Sequence, residues 1–213
     1  MHKIQHSEHI LSSKKKGEYE DGRNITPQQI YDWSDSHKTT PKTSAPSLAE
    51  AIELFRPYVE AGREIVCFSI SAGMSTSGNV MRLAAEELGA SDRIKVIDSA
   101  NLSTGIGLLV VEAAIMAKNN RTASQIVSEI EKLKPNVRAS FLVDTLTYLY
   151  RGGRCNAVAA MAGGVLKLHP RIVVEDGAMN ASKKYRGKIA SVVMNYVKDM
   201  EKDLKKRDLN AYL

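Results

Sequence analysis

The 213-residue sequence has little of what several specialised protein classes require. Two cysteines, Cys67 and Cys155, are too few for a disulfide framework, so we expect reduced thiols. Aromatic residues make up only 6% of the chain, and none interleave with basic residues as in nucleic-acid-binding surfaces. The longest uncharged apolar run, residues 157–166, is too short for a transmembrane segment, and the N-terminal residues lack the apolar core of a secretory signal. These absences predict a cytoplasmic protein without a transmembrane segment and without nucleic acid as a partner.

The positive charge lies mainly at the C-terminal end. The formal net charge is +6, and residues 179–213 carry nine Lys or Arg against four Asp or Glu. A solvated basic helix explains this segment better than a nucleic-acid patch, because no recognised nucleic-acid motif accompanies it.

Familiar catalytic and metal-binding motifs are also absent. The chain has no GxSxG, HExxH or P-loop motif and no Cys/His ligand spacing, so we predict no catalytic residues, no metal and no cofactor. Asp98 and Asp144 each follow a predicted strand, where a cap is the favoured role. His169 has no carboxylate at a recognisable spacing and is predicted to be structural. Residues 105–107 lack the third glycine of a dinucleotide fingerprint.

The order of apolar segments predicts an α/β protein with two domains. Predicted strands at residues 64–70 and 93–97 alternate with predicted helices at residues 80–88, 108–116 and 122–133, which indicates a mostly parallel sheet flanked by helices. We assign residues 1–136 to this first domain. Residues 137–213 are predicted to form a second domain, an incomplete mixed β-sheet with helices, including a hairpin that turns at Asp176-Gly177.

One stretch organises the chain, namely the strand at residues 64–70 and the polar loop that follows it. The loop contains four hydroxyl residues and two glycines and leads directly into a helix. Ligands bind beyond the carboxyl ends of strands in open α/β sheets, and N–H groups at a helix start suit an anion. An equally weighted alternative is a connection whose hydroxyls satisfy only its own backbone.

A set of groups suited to one anion can be assembled from this loop and two other segments. Neutral hydroxyls and a guanidinium would orient a carboxylate through charge-assisted hydrogen bonds. No base accompanies these hydroxyls in the sequence, so binding without reaction is favoured. The candidate residues are Thr43, Ser44, Ser71, Ser75, Ser77 and Arg154.

Three ordered motifs resemble those of the DegV family of bacterial fatty-acid-binding proteins. Residues 41–47 (PKTSAPS) are similar to that family's PKTSQPS, and residues 71–79 (SAGMSTSGN) occupy the place of its SSxxSGTY loop. Residues 146–154 (LTYLYRGGR) are similar to its LxYLxxGGR. The resemblance covers about residues 19–210.

This resemblance implies a non-enzymatic lipid carrier. It implies a long-chain fatty acid as ligand, with its acyl chain buried between two α/β domains and its carboxylate held by Thr43 and Ser75, with Ser44, Ser71 and Ser77 beside them. It also implies presentation of the lipid to a fatty-acid kinase, for which Arg154 and Arg186 are basic positions of the family pattern.

The chain departs from the family pattern at two places. Thr76 stands where the family has glycine, and a β-branched residue does not easily adopt positive φ. A shifted loop, with Ser77-Gly78 as the functional pair, is therefore an open alternative. The family's first strand and the last part of its second domain have no counterpart, so we expect a member truncated at both ends, and exposed sheet edges would favour a homodimer. A phosphate- or acyl-handling transferase, with Asp98 or Asp144 as base, and a degenerate non-binding fragment stay open as other interpretations.

Overall fold

The computed structural model describes residues 10–13, 17–20, 25–153 and 168–205. It confirms the predicted α/β class, with a parallel sheet and antiparallel sheets among its helices. The chain divides into two compact units. The first contains Met1–Ala139 together with Val174–Ala178, and the second contains Ser140–Val173 and Met179–Leu213.

The first unit is built around two parallel strands. These are β4 (Ile65–Ser69) and β5 (Ile94–Asp98). Ile65 pairs with Ile94 and Ser69 with Asp98, so the two strands run side by side and end at the same edge. Helices follow each strand, as the alternation of apolar segments predicts. The elements from the second helix onward are α2 (Leu48–Glu60), β4 (Ile65–Ser69), α3 (Ser77–Glu87), β5 (Ile94–Asp98), α4 (Ser103–Lys118), α5 (Ala123–Leu133) and a 3₁₀ turn (Lys134–Asn136).

Apolar side chains alternate across this pair of strands, so each face packs against its own helices. On one face, Ile65 and Cys67 pack with a cluster of α2 and α3 residues that includes Phe55 and Met81. The opposite face packs with α4 and α5 residues, namely Leu109, Ala113, Ile126 and Ile130, through Val66, Phe68 and Ile97. The period of two along the strands therefore produces two cores, one on each side of the sheet.

The helix starts follow the sequence signals. Thr26 caps α1 (Pro27–His37), Ser47 caps α2 and Thr122 caps α5. In each case the residue three positions after the cap returns a side-chain hydrogen bond, which completes a capping box. Helix α4 begins at Ser103 and not at the predicted Leu108, because apolar periodicity does not report a first turn made of Ser, Thr and Gly.

The N-terminal segments form a separate antiparallel sheet. β1 (Ile10–Ser13) pairs with β2 (Gly17–Glu20) and with β3 (Lys42–Ser44), in the order β2-β1-β3. Helix α1 ends at His37, and β3 follows it before α2 begins. β3 is exposed and has no apolar alternation, so only its pairing with β1 identifies it as a strand.

The second unit consists mainly of a three-stranded sheet and a long helix. β6 (Ser140–Leu142) pairs antiparallel with β7 (Leu168–Glu175), and β8 (Ala178–Arg186) lies on the other side of β7. Helix α6 (Thr147–Gly152) and helix α7 (Ile189–Lys205) complete the described part of this unit. Ile172 is fully buried, with Phe141, Leu146 and Leu149 packed against it. The uncharged apolar run at residues 157–166 lies outside the described residues.

Candidate functional site

The loop from Ser71 to Gly78, here called the hydroxyl loop, lies beyond the carboxyl end of β4. The N–H of Ser71 donates to the carbonyl of Asn101 (2.9 Å), which follows β5. The N–H of Ala72 donates to Oδ1 of Asp98 (3.2 Å), at the end of β5. Because β4 and β5 are parallel, their two following loops meet at one edge, which is where open α/β sheets place their ligands.

Two hydroxyls of this loop face each other at the start of α3. Ser75 Oγ lies 2.9 Å from Ser77 Oγ, and it accepts the N–H of Ser77 at 3.2 Å. Ser77 is buried and Ser75 is half-buried. Thr76, the residue before the helix, makes no side-chain capping bond. The start of α3 thus places two hydroxyls at the positive end of the helix dipole, an arrangement that suits an anionic oxygen.

The backbone of the hydroxyl loop accommodates Thr76 without strain. Thr76 has φ −88° and ψ 4°, so the family's glycine position does not require a left-handed conformation here. Gly78 has a different constraint: a Cβ at this position would lie 2.6 Å from Ser69 Oγ and 3.1 Å from Ser69 Cβ. Gly78 therefore permits close approach of α3 to the end of β4.

Ser71 forms a hydrogen bond with a residue far away in the sequence, which no local sequence pattern predicts. It is 2% exposed, its Oγ donates to the carbonyl oxygen of Gly177 (2.6 Å), and the same Oγ accepts the N–H of Gly73 (3.2 Å). Gly177 lies in the turn between β7 and β8, within the Val174–Ala178 segment that belongs to the first unit. Sequence reasoning predicted this turn from Asp176-Gly177 but did not connect it to the site.

Asp98 and Asn101 organise the backbone of the neighbouring loop. Asp98 Oδ1 accepts the N–H of Ala100 (2.9 Å) as well as that of Ala72, so it bridges the two loops. The prediction that Asp98 caps a helix was wrong, because Leu102 is the cap position of α4 and makes no side-chain capping bond. Asn101 is 3% exposed, and its Oδ1 would lie 2.1 Å from a Cβ on Gly105. Gly105 thus serves close packing in α4, which supports discounting a dinucleotide fingerprint.

A cation that sequence reasoning missed lies next to the loop. Nη1 of Arg82, one turn into α3, is 3.8 Å from the point where a Cβ on Gly78 would sit. The only sequence signal that could have identified Arg82 is its position four residues after Gly78, since residues i and i+4 share a helix face.

The other predicted site residues lie on other elements or are not described. Thr43 and Ser44 lie exposed on β3, where they pair with Leu11 and Ile10 of β1, and their approach to the loop stays a prediction. Arg186 is exposed at the end of β8, in the second unit. Arg154 lies outside the described residues.

The second unit contains a histidine whose surroundings the sequence did not indicate. His169 is 5% exposed, and its ring nitrogens lie 3.3 Å from the Val143 carbonyl oxygen and 3.1 Å from that of Gly187. Asp144 Oδ1 lies 3.8 Å from His169 Nδ1. The prediction that Asp144 caps a helix was wrong, because Leu146 is the cap position of α6 and makes no side-chain capping bond.

Cys67 is the one described thiol, and it is not poised for nucleophilic chemistry. It is partly buried as a residue, but its thiol is desolvated by the core of the first unit, which raises its pKa to about 12. The charge of Arg82 opposes this shift without cancelling it. The neutral thiol is a poor nucleophile and a poor metal ligand. In the described part of the chain, no group of three or more His, Cys, Asp or Glu side chains could hold a metal ion.

No helix among the described residues has the length and apolar character needed to cross a membrane. The protein is thus a two-unit α/β protein, and its first unit has a hydroxyl-rich loop beyond the carboxyl end of a parallel strand. The sequence profile of the DegV family of uncharacterised proteins matches residues 13–210. The chain belongs to the DegV family.

Known proteins of this family are similar over most of the chain. A DegV domain-containing protein of Deinococcus radiodurans is 33% identical over 169 residues, covering 79% of this chain and 59% of that protein. A stearic acid-binding protein of Eubacterium ventriosum has 29% identity and a TM-score of 0.75, covering 92% of this chain and 70% of the other. A DegV family protein of Thermus thermophilus, solved for its fatty acid binding, has 27% identity and a TM-score of 0.72, covering 84% and 63%. This chain therefore spans 59 to 70% of the length of these three proteins.

Proposed function

We propose that this chain binds a long-chain fatty acid and that the Ser75–Ser77 hydroxyl pair holds its carboxylate. The observation that carries the proposal is the 2.9 Å contact between the two hydroxyls at the start of α3. Each hydroxyl has one proton to donate, and a carboxylate offers enough acceptor sites for both. The N–H groups of the first helical turn and the nearby Arg82 guanidinium add favourable charge. Fatty-acid binding by the Eubacterium and Thermus proteins supports the choice of ligand.

The two serines differ in exposure, so we propose a different role for each. Ser75, at the matching family position, is half-buried and open to a ligand, whereas Ser77 is 3% exposed. We therefore propose Ser75 as the principal donor and Ser77 as a partner that orients it. Thr43 remains a proposed second donor from β3.

Helix α4 is the proposed apolar contact for the acyl chain. It begins at Ser103, just after the loop that adjoins the hydroxyl loop, and exposes Leu108, Val111 and Ile115. These side chains recur with helical spacing, so they line one side of the helix. A rise of 1.5 Å per residue places Ile115 about 18 Å from Ser103, so the stripe runs away from the head-group loop as an acyl chain would.

A carrier is proposed rather than a catalyst because the potential nucleophile and base have other roles. The Cys67 thiol is held neutral, with its pKa raised to about 12 by burial. Asp98 Oδ1 already accepts two backbone N–H groups. Delivery of the lipid to a fatty-acid kinase, a cytoplasmic location and a homodimer are further parts of this proposal.

The first experiment identifies the ligand. Protein purified from bacterial lysate is examined by native mass spectrometry, and the mass released on denaturation is recorded. We expect a fatty acid of about 14 to 18 carbons. Folded, monodisperse protein that carries no lipid, and takes up none when fatty acid is added, would contradict the proposal.

The second experiment tests the head-group residues. A fluorescent fatty acid is titrated into wild type and into the Ser75→Ala, Ser77→Ala and Thr43→Ala variants. Loss of a donor to a buried carboxylate costs about 1.5–3 kcal/mol, so we expect the Ser75 variant to bind roughly ten- to a hundredfold more weakly. Unchanged binding in all three variants places the head group elsewhere, and loss only in Ser77→Ala makes Ser77-Gly78 the functional pair.

Thr122→Ala is the matched control. It also removes a hydroxyl with a backbone partner, and it breaks the capping box of α5. The adjacent Ala123 N–H contacts Glu64, which precedes β4, so Thr122 lies at the end of β4 opposite the hydroxyl loop. We expect lower stability and unchanged lipid affinity in this variant.

A further inference from the structure

We propose that Ser71 is a positioning residue, whose hydroxyl holds the hydroxyl loop against the turn of the β7–β8 hairpin and thereby places Ser75 for carboxylate binding. This inference rests on the proposed function. It removes Ser71 from the set of head-group donors and adds Gly177 to the residues on which binding depends.

The hydrogen bonds of Ser71 are already committed. Its side chain has one proton, which is donated to the Gly177 carbonyl at 2.6 Å, and its Oγ also accepts the Gly73 N–H. Its own N–H donates to Asn101. A hydroxyl whose one proton is engaged and whose residue is 2% exposed has nothing to donate to a ligand.

The contact with the hairpin depends on glycine on both sides. Asp176 and Gly177 have φ of 50° and 72°, the left-handed values typical of a two-residue hairpin turn. A Cβ on Gly177 would lie 2.6 Å from Ser71 Oγ, and a Cβ on Gly73 would lie 3.0 Å from the Gly177 carbonyl oxygen. The absence of a side chain at Gly73 and at Gly177 therefore leaves the room that this close approach of the two backbones needs.

Ser71 is linked directly to the proposed head-group residue. The carbonyl oxygen of Ser71 accepts the N–H groups of Met74 (2.9 Å) and Ser75 (3.1 Å). Ser75 Oγ in turn contacts Ser77 Oγ. A displacement of Ser71 is thus transmitted through one hydrogen bond to Ser75, and through the next to the first turn of α3.

The test compares two variants of the contact with a matched control. Ser71→Ala removes the hydroxyl, and Gly177→Ala introduces a Cβ against it. Gly62→Ala is the control, because Gly62 also has positive φ (67°) but no atom within 4 Å of its would-be Cβ. Both glycine variants place a Cβ at positive φ and so carry similar backbone strain, but only the Cβ at position 177 would meet Ser71 Oγ.

Two readouts are recorded for each variant, fluorescent fatty-acid affinity and hydrogen exchange of the lipid-free protein. We expect the Ser71 and Gly177 variants to bind about three- to tenfold more weakly, as loss of about one hydrogen bond implies, and Gly62→Ala to bind like wild type. We also expect faster exchange within residues 71–78 and 174–178 in Ser71→Ala. Unchanged exchange in both segments would overturn the proposal.

A double-mutant cycle separates positioning from a general loss of stability. If Ser71 acts through Ser75, Ser71→Ala weakens binding less than twofold in a Ser75→Ala background. An equal loss in both backgrounds contradicts the positioning role. Wild-type protein that binds no fatty acid overturns the proposed function as a whole, whereas wild-type affinity in Ser71→Ala overturns only this inference.

Discussion

The protein contains two clusters of polar groups that are built in opposite ways. The hydroxyl loop of the first unit uses neutral groups: the Ser75 and Ser77 hydroxyls are bonded to each other, and Ser75 Oγ also accepts the N–H of Ser77. The cluster between β8 and α7 in the second unit uses charge. There Asp199 Oδ2 accepts from Tyr185 Oη at 2.8 Å and from Lys183 Nζ at 2.6 Å.

The difference leads us to expect a ligand at the first cluster and a structural role for the second. A bond between two hydroxyls in one loop is easily exchanged for bonds to a carboxylate, because a charged oxygen is the stronger acceptor and a hydroxyl proton can rotate towards it. A carboxylate shared by a buried tyrosine and a lysine joins a helix to a sheet, and removing it leaves the tyrosine hydroxyl without that partner. We therefore expect changes in the first cluster to affect binding and changes in the second to affect stability.

The largest expected loss of stability is at Asp199. Asp199→Ala removes the charged acceptor of Tyr185, which is 6% exposed, and should lower the free energy of unfolding by about 1.5–3 kcal/mol. Chemical denaturation measures the loss, and Lys198→Ala, an exposed neighbour on α7, is the control. Equal stability of the two variants would show that this cluster does not join β8 to α7.

A smaller loss is expected at Gly78, where the first unit is tightly packed. A Cβ there would lie 3.1 Å from Ser69 Cβ, which cannot move without the strand. We expect Gly78→Ala to cost about 1–2 kcal/mol, within the range for overpacking, and also to weaken fatty-acid binding by shifting the start of α3. Gly107→Ala, with open space around its would-be Cβ, is the control in a helix of the same unit. A stability equal to that control would contradict the close packing.

The second cluster should also respond to alkaline pH. Burial, followed by the hydrogen bond to Asp199, raises the pKa of Tyr185 to about 12, from a usual value near 10. Because the folded state holds this proton more tightly, the stabilisation is fully present below about pH 10 and is lost as the pH rises towards 12. The ultraviolet absorbance of wild type and of Tyr185→Phe is recorded as the pH is raised. The difference between the two curves should show one tyrosine that ionises near pH 12. A difference curve centred near pH 10 would refute this.

The smallest effect concerns the strand that leads into the hydroxyl loop. Because burial raises the pKa of Cys67 to about 12, its thiol should react slowly with an alkylating reagent near pH 8 and should react quickly after unfolding. A Cys155→Ser background isolates the reaction of Cys67. Fast alkylation of the folded protein would show that this strand is more accessible than the core packing indicates.

Local signals in the sequence predicted much of the first unit and part of the site. The helix that begins after Thr122, the strands β4 and β5 and the hairpin turn at Asp176-Gly177 depend on residues close together in the chain. The hydroxyl loop was identified in the same way, from a strand, a run of hydroxyls and a helix start.

Other features were missed because their partners lie far away in the sequence. β3 is a strand only because it pairs with β1, and His169 lies near Asp144 through the pairing of β7 with β6. The role of Arg82 depends on how closely α3 approaches the end of β4 at Gly78. No local pattern records these distances.

The sequence by itself determined the α/β class, the family and the chemical character of the loop, because apolar period, caps and hydroxyl content are local properties. The tertiary structure decided which partner each hydroxyl has. It left Ser75 half-buried beside Ser77, whereas it engaged Ser71 with Gly177, a residue 106 positions away. The physical reason is that a hydroxyl has a single proton, and only the folded chain determines which acceptor receives it.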